Sequence, residues 1–143
     1  MRIREMEIDD LEQVMPIEEA LFAVPWTANG FFSFLLRNDS VFLVAEEDGE
    51  ILGYCGAILV FDQGDIVNVG VRADRQRQGI ARRLLDALFK IAGEKGVTSL
   101  YLEVRVSNQA AIALYEGLGF QRLGVRKDYY EEPKEDAVVM CRS

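Results

Sequence analysis

The chain contains no histidine, and only two cysteines, three prolines and one tryptophan among its 143 residues. Without an imidazole there can be no Ser-His-Asp triad, no Cys-His pair and no histidine-based metal site. Two cysteines, Cys55 and Cys141, are too few for a structural zinc cluster or a disulfide framework. They read as reduced thiols of a cytoplasmic protein. Long apolar runs are missing as well: none approaches the ~20 residues of a membrane span, and no basic stretch precedes an apolar one at the start as in a signal peptide. Positive charge is not in excess either. The chain has 24 acidic against 16 basic residues, a net charge of −8, which speaks against nucleic acid as a partner.

What is present is enough for one folded unit. Half of the residues are hydrophobic, and a chain of this length buries one cooperative core, so residues 1–143 read as a single domain. The charge is unevenly placed. Residues 1–72 carry 14 acids and 4 bases, and residues 73–143 carry 10 acids and 12 bases, so the net −10 of the first part faces +2 in the second. Arg72, Arg75, Arg77, Arg82 and Arg83 cluster around a glycine where the two parts meet.

Patterning along the chain predicts the order β-α-α-β-β-β-α-β-α-β-β, an α/β fold in which helices interrupt a mixed sheet. Residues 2–7 can open as a strand. Asp9 with Glu12 suggests a capped helix bearing Leu11, Val14, Met15, Ile17 and Leu21, kinked by Pro16. Thr27 caps a second short helix with Phe31, Phe34 and Leu35 on one face. Strands follow at 41–45 and 51–61 across an Asp48-Gly49 turn, and at 66–71 after a turn marked by Gly64 and Asp65. Gly70 in that last strand implies a bulge or a close backbone approach. A stripe of Ile80, Leu84, Ala87, Leu88 and Ile91 predicts a helix ending at Gly93 or Gly96. Alternation over 99–106 predicts a strand, Asn108 caps a helix to about Leu118, and strands at 120–130 and 137–141 close the chain.

Four positions carry chemistry. The Gln76-Arg77-Gln78-Gly79-Ile80-Ala81 turn opens a helix. It reads either as a plain helix start or as an anion cradle, in which free N–H groups and nearby arginines face a phosphate. Glu103 is a carboxylate on the polar face of an otherwise apolar strand. It is either a base within reach of an amine or an edge charge paired with Arg105. Tyr115 is a core tyrosine or a proton donor, and Asn108 is an N-cap or a cofactor contact. Trp26 is a lid or a core filler, Tyr129 and Tyr130 should alternate across their strand, and Cys55 reads as a small buried hydrophobe.

Taken together, these stretches resemble the GCN5-related N-acetyltransferase superfamily, and within it the bacterial ribosomal-protein-alanine N-acetyltransferases. Gln76 to Ala81 is similar to the superfamily's pyrophosphate loop. The run from Leu102 to Phe120, Pro25-Trp26-Thr27, Arg126 to Tyr130 and Glu135-Asp136-Ala137 are similar to the narrower group. The resemblance implies acetyl-CoA as co-substrate, no metal, and an acceptor that is the basic, alanine-initiated N-terminus of a small-subunit ribosomal protein. It also implies roles. Gln76, Arg77, Gln78, Gly79, Ile80 and Ala81 would hold the pyrophosphate, and Val69 and Val71 the acetyl and pantetheine arm. Asn108 would touch that arm, Glu103 would be the general base and Tyr115 the general acid. Trp26 and Tyr130 would frame the peptide groove. Another protein terminus or a small amine as acceptor, or a non-catalytic acyl-CoA-binding module, would share much of this pattern.

Overall fold

The period-two alternation of Leu100, Leu102 and Val104 does become a strand, and the stripe that starts at Ile80 becomes the longest helix. The computed structural model covers residues 1–143. Its elements are β1 (Arg2–Glu5), α1 (Leu11–Leu21), α2 (Ala28–Leu35), β2 (Ser40–Glu47), β3 (Glu50–Val60), β4 (Gln63–Val71), α3 (Ile80–Glu94), β5 (Ser99–Arg105), α4 (Gln109–Gly117), β6 (Gln121–Glu131) and β7 (Lys134–Arg142). The order expected from the sequence is the order found. One sheet runs β1-β2-β3-β4-β5-β7-β6, and only the β4–β5 pair is parallel.

Both faces of the sheet are covered. On β2, Val41, Leu43 and Ala45 point into a core shared with α3 and α4, while Phe42 and Val44 point into a smaller core under α1 and α2. The caps are local. Thr27 Oγ1 accepts from the Gly30 N–H at 3.0 Å to start α2, and Asn108 Oδ1 accepts from the Ala111 N–H at 3.2 Å to start α4. Gly96, at φ +86°, lies just past the end of α3, and Gly119, at φ +96°, just past α4.

Several details differ from the sequence expectation. The first helix is preceded by a 3₁₀ turn at Ile8–Asp10, so the cap belongs to Glu7 and Asp10 rather than Asp9 and Glu12. The Glu7 N–H donates to Asp10 Oδ2 at 2.7 Å. Helix α1 then runs through Pro16, with Val14 and Ile17 buried on either side of it. Gly64 and Asp65 lie inside β4, not in a turn; the chain reverses at Phe61 and Asp62 instead. Gly70 is not the bulge. Gly56 pairs with Asn68 and Ala57 with Ile66, which leaves Val67 as the extra residue. Gly70 is small because Tyr54 packs onto it: a Cβ there would lie 2.5 Å from the phenol oxygen.

The sheet is split at its centre. β4 and β5 pair only at Gln63–Ser99, Gly64–Leu100 and Asp65–Tyr101. Beyond that, β4 stays with β3 while β5 stays with β7. The bulge at Val67 sits where the parallel pairing stops, and the added local twist carries the rest of β4 away. Backbone direction in that stretch follows from ladder parity. The Arg72 N–H donates to Leu52 O at 2.8 Å, so residues 72 and 70 turn their backbone groups toward β3. Val69 and Val71 therefore turn theirs into the gap.

Candidate active site

The turn before α3 presents a row of free backbone N–H groups. Arg77 (φ +63°) and Gly79 (φ +80°) both adopt left-handed backbone, which folds successive N–H groups inward. None of the backbone N–H groups from Gln76 to Arg82 has a partner within the chain. Gln76 braces the turn, its Nε2 donating to Val71 O at 3.0 Å. Gln78 Oε1 accepts from Arg75 Nε at 3.0 Å. Ile80 sends its side chain into the core, so only its backbone faces the turn, and Ala81 keeps the first helical turn slim. Of the five arginines expected to act together, two are engaged elsewhere. Arg72 is bonded to Asp74, and Arg75 to Glu47 at 2.9 Å. Arg77, Arg82 and Arg83 have no carboxylate partner, and α3 has no acidic residue in its first turn. Unpaired cations at the positive end of a helix dipole repel it until an anion arrives.

A second cluster lies across the gap, on β5 and the β6–β7 hairpin. Glu103 is half-buried, and its partner is Arg126 of β6 at 3.5 Å rather than Arg105. Arg105 instead reaches Glu135 at 3.2 Å and the carbonyls of Glu132 and Pro133, and its guanidinium lies 4.3 Å above the Tyr130 ring. Glu135 in turn accepts from the Ser107 N–H at 2.7 Å, which ties the hairpin to the start of α4. Tyr129 and Tyr130 do not alternate as expected. Arg126 pairs with Ala137 and Tyr130 with Glu135, so β6 carries extra residues there and the two rings meet edge to face at 5.0 Å. Burial, with Tyr129 beside it, raises the Tyr130 phenol to about 12; Arg105 works against the shift, and Glu103 and Glu135 add to it. Tyr130 and Glu103 therefore share one electrostatic neighbourhood.

Tyr115 approaches from the other face of the sheet. Its ring is buried in the larger core, edge to face with Phe120 at 5.7 Å. No enclosed side-chain polar atom in the protein lacks a partner, and the Tyr115 hydroxyl has none within the chain, so that hydroxyl opens to solvent. Burial, then the proximity of Cys55 and Tyr130, raises its pKa to about 12. Cys55 is the inert buried thiol expected, pushed up to about 12 by burial. Asn108 uses its Oδ1 in capping α4 and leaves its amide N–H₂ exposed.

Trp26 packs on the smaller core, the second of the two readings the sequence allowed. Half-buried in the segment between α1 and α2, it stacks on Phe34 at 4.7 Å and touches Phe31 at 5.0 Å. Its backbone N–H donates to Glu18 Oε2 at 2.9 Å. The aromatic cluster is the roof of the smaller core, and its outer edge is surface.

This arrangement has known counterparts. The Acetyltransferase (GNAT) family description matches residues 6–120. A Bacillus subtilis relative is 38% identical over 96% of this chain and 92% of its own length. The Escherichia coli [ribosomal protein bS18]-alanine N-acetyltransferase is 37% identical, covering 97% of this chain and 95% of that one. A crystal structure described as the ribosomal-protein-S18-alanine N-acetyltransferase from Escherichia coli superposes with a TM-score of 0.91 over 99% of this chain and 92% of that one. The chain belongs to the GNAT acetyltransferase family. In this acetyltransferase β4, whose Val69 and Val71 N–H groups turn into the split between β4 and β5, leads directly into the arginine-flanked turn before α3. Glu103 on β5 and Tyr130 on β6 lie on the strands beyond that split, Tyr115 is in the larger core on the opposite face from Glu103, and Trp26 packs on the smaller core. One polar group was missed: Glu18, which is 2% exposed, in α1. Its only sequence signal is a carboxylate beside the apolar stripe position Ile17.

Proposed function

We propose that this acetyltransferase moves the acetyl group of acetyl-CoA onto the α-amino group of an alanine-initiated ribosomal protein, in the cytoplasm. The carrying observation is the open gap between β4 and β5, with the Glu103 carboxylate on the strand that borders it, on one face of the sheet, and the unbonded Tyr115 phenol in the core on the other. The Escherichia coli relative, named for acetylating the alanine of a ribosomal protein, supports the choice of acceptor. So does the net −10 of residues 1–72, which favours a basic peptide.

In this reading the N–H groups of Gln76 to Ala81 and the free arginines hold the pyrophosphate, and Asn108 contacts the pantetheine arm. Glu103 takes a proton from the α-ammonium of the peptide, directly or through one water. The freed amine forms the new N–C bond at the thioester carbonyl. The N–H groups of Val69 and Val71 receive the charge that develops on its oxygen. As the C–S bond breaks, Tyr115 gives its proton to the sulfur, the second proton of the attacking nitrogen leaves to water, and solvent restores the phenol. Trp26 and Tyr130 wall the groove that orients the peptide, and orientation supplies much of the rate. Mass spectrometry of an alanine-initiated, arginine-rich ribosomal peptide incubated with enzyme and acetyl-CoA tests the reading. One added acetyl at the α-amine is expected. Acetylation only of small amines, or retained CoA binding with no transfer, would reject it.

A further inference from the structure

We propose that Glu18 is a positioning residue that locks the acceptor wall of the site to the strand presenting the acetyl-side N–H groups. The proposal rests on the reading of the segment around Trp26 as that wall. Glu18 sits near the end of α1 and is 2% exposed. Its Oε1 accepts from the Tyr54 hydroxyl at 2.7 Å and from Asn68 Nδ2 at 3.0 Å, and its Oε2 accepts from the Trp26 N–H at 2.9 Å. No lysine or arginine pairs with it. A buried carboxylate without a cation is held by its donors alone, so each donor is held in turn.

The three donors belong to three parts of the site. Asn68 directly precedes Val69, whose backbone faces the gap. Tyr54, fixed by the same oxygen, fills the space above Gly70 and braces β4 between Val69 and Val71. Trp26 carries the stacked Phe34 and Phe31 and thus sets where the α1–α2 segment stands. A shift of one carboxylate would move the acceptor wall against the acetyl strand, and sub-ångström errors in such an alignment cost rate. The group most sensitive to that shift is the Trp26 N–H, because Oε2 bonds nothing else.

The test uses Glu18→Gln in the full chain. Glutamine keeps a carbonyl oxygen for Tyr54 and Asn68 and opposes an N–H₂ group to the Trp26 N–H. The expected result is a KM for the alanine-initiated peptide raised by roughly 10-fold, with the KM for acetyl-CoA within about twofold of wild type. The emission of the sole tryptophan should shift to the red. An unchanged peptide KM with unchanged emission overturns the proposal, as does equal damage to both KM values. Amide exchange on the unmodified protein supplies an arm that no misfolded variant can obscure. The Trp26 N–H should exchange about 10²-fold or more slowly than in an unstructured peptide, and unprotected exchange overturns the proposal. If the wild type modifies no peptide at all, the acceptor reading fails, while the emission and exchange arms still decide the role of Glu18.

Discussion

As the proposed acid, Tyr115 needs no narrow pH window. With burial holding its phenol near 12, it is protonated throughout the neutral range and its hydroxyl faces open space. Tyr115→Phe should therefore lower kcat by about 10²-fold or more, with acetyl-CoA affinity unchanged by calorimetry, because the ring that packs on Phe120 is retained. In the proposed mechanism Glu103 has the complementary task, and its ion-pair partner is the exposed Arg126 of β6. An α-amino group ionises near 7.7–8.0, so the base matters most below that range. Glu103→Gln should move the rise of kcat/KM to higher pH, where the amine is already free. A pH–rate profile identical to wild type would leave Glu103 as an orienting group only.

At the scale of elements, the turn before α3 owes its shape to left-handed backbone at Arg77 and Gly79. A Cβ at Gly79 would meet nothing within 4 Å, so a substitution there tests conformation rather than packing. Gly79→Val should cost roughly 1–2 kcal/mol in the turn geometry and raise the acetyl-CoA Kd while leaving α3 folded by circular dichroism. The opening of the chain offers a second test. Arg4 forms a two-bond fork to Asp10 at 2.8 Å and also grips Glu46, tying β1 to the start of α1 and to β2. That fork lowers the Asp10 pKa against the opposing effect of burial. A depressed carboxylate stabilises the fold above its unfolded pKa and loses that contribution as pH falls through its folded value. Asp10→Asn should thus cost about 1–3 kcal/mol at neutral pH, measured by urea unfolding, with the gap to wild type closing in acid. The helices α2, α3 and α4 were legible beforehand because a periodic stripe, or a Thr or Asn before it, is local information. The Val67 bulge, the meeting of Tyr129 with Tyr130, and Glu18 were not. Each depends on register between strands, or, for Glu18, on partners 36 and 50 residues away in the chain. Glu103 lay between: residue type and strand parity singled it out, but only the sheet shows that Arg126, not Arg105, is its partner.

At the scale of the whole molecule, two cores lie on opposite faces of a sheet whose middle is only partly paired. If the arginines beside the turn before α3 hold the pyrophosphate as proposed, raising salt from 0.05 to 0.5 M should weaken acetyl-CoA binding. Saturation at 100 times Kd should add about 2.7 kcal/mol of stability, seen as a rise in Tm of roughly 5–10 °C. The three residue pairs that join β4 to β5 also have a mechanical meaning. A sheet is stiff along its ladder, and where rungs are missing, compliance concentrates. The four strands before the gap and the three after it can flex about Gln63–Asp65 like leaves on a hinge pin. A guest wedged between the leaves would stiffen the enzyme as a whole, and its departure after each turnover would loosen it again.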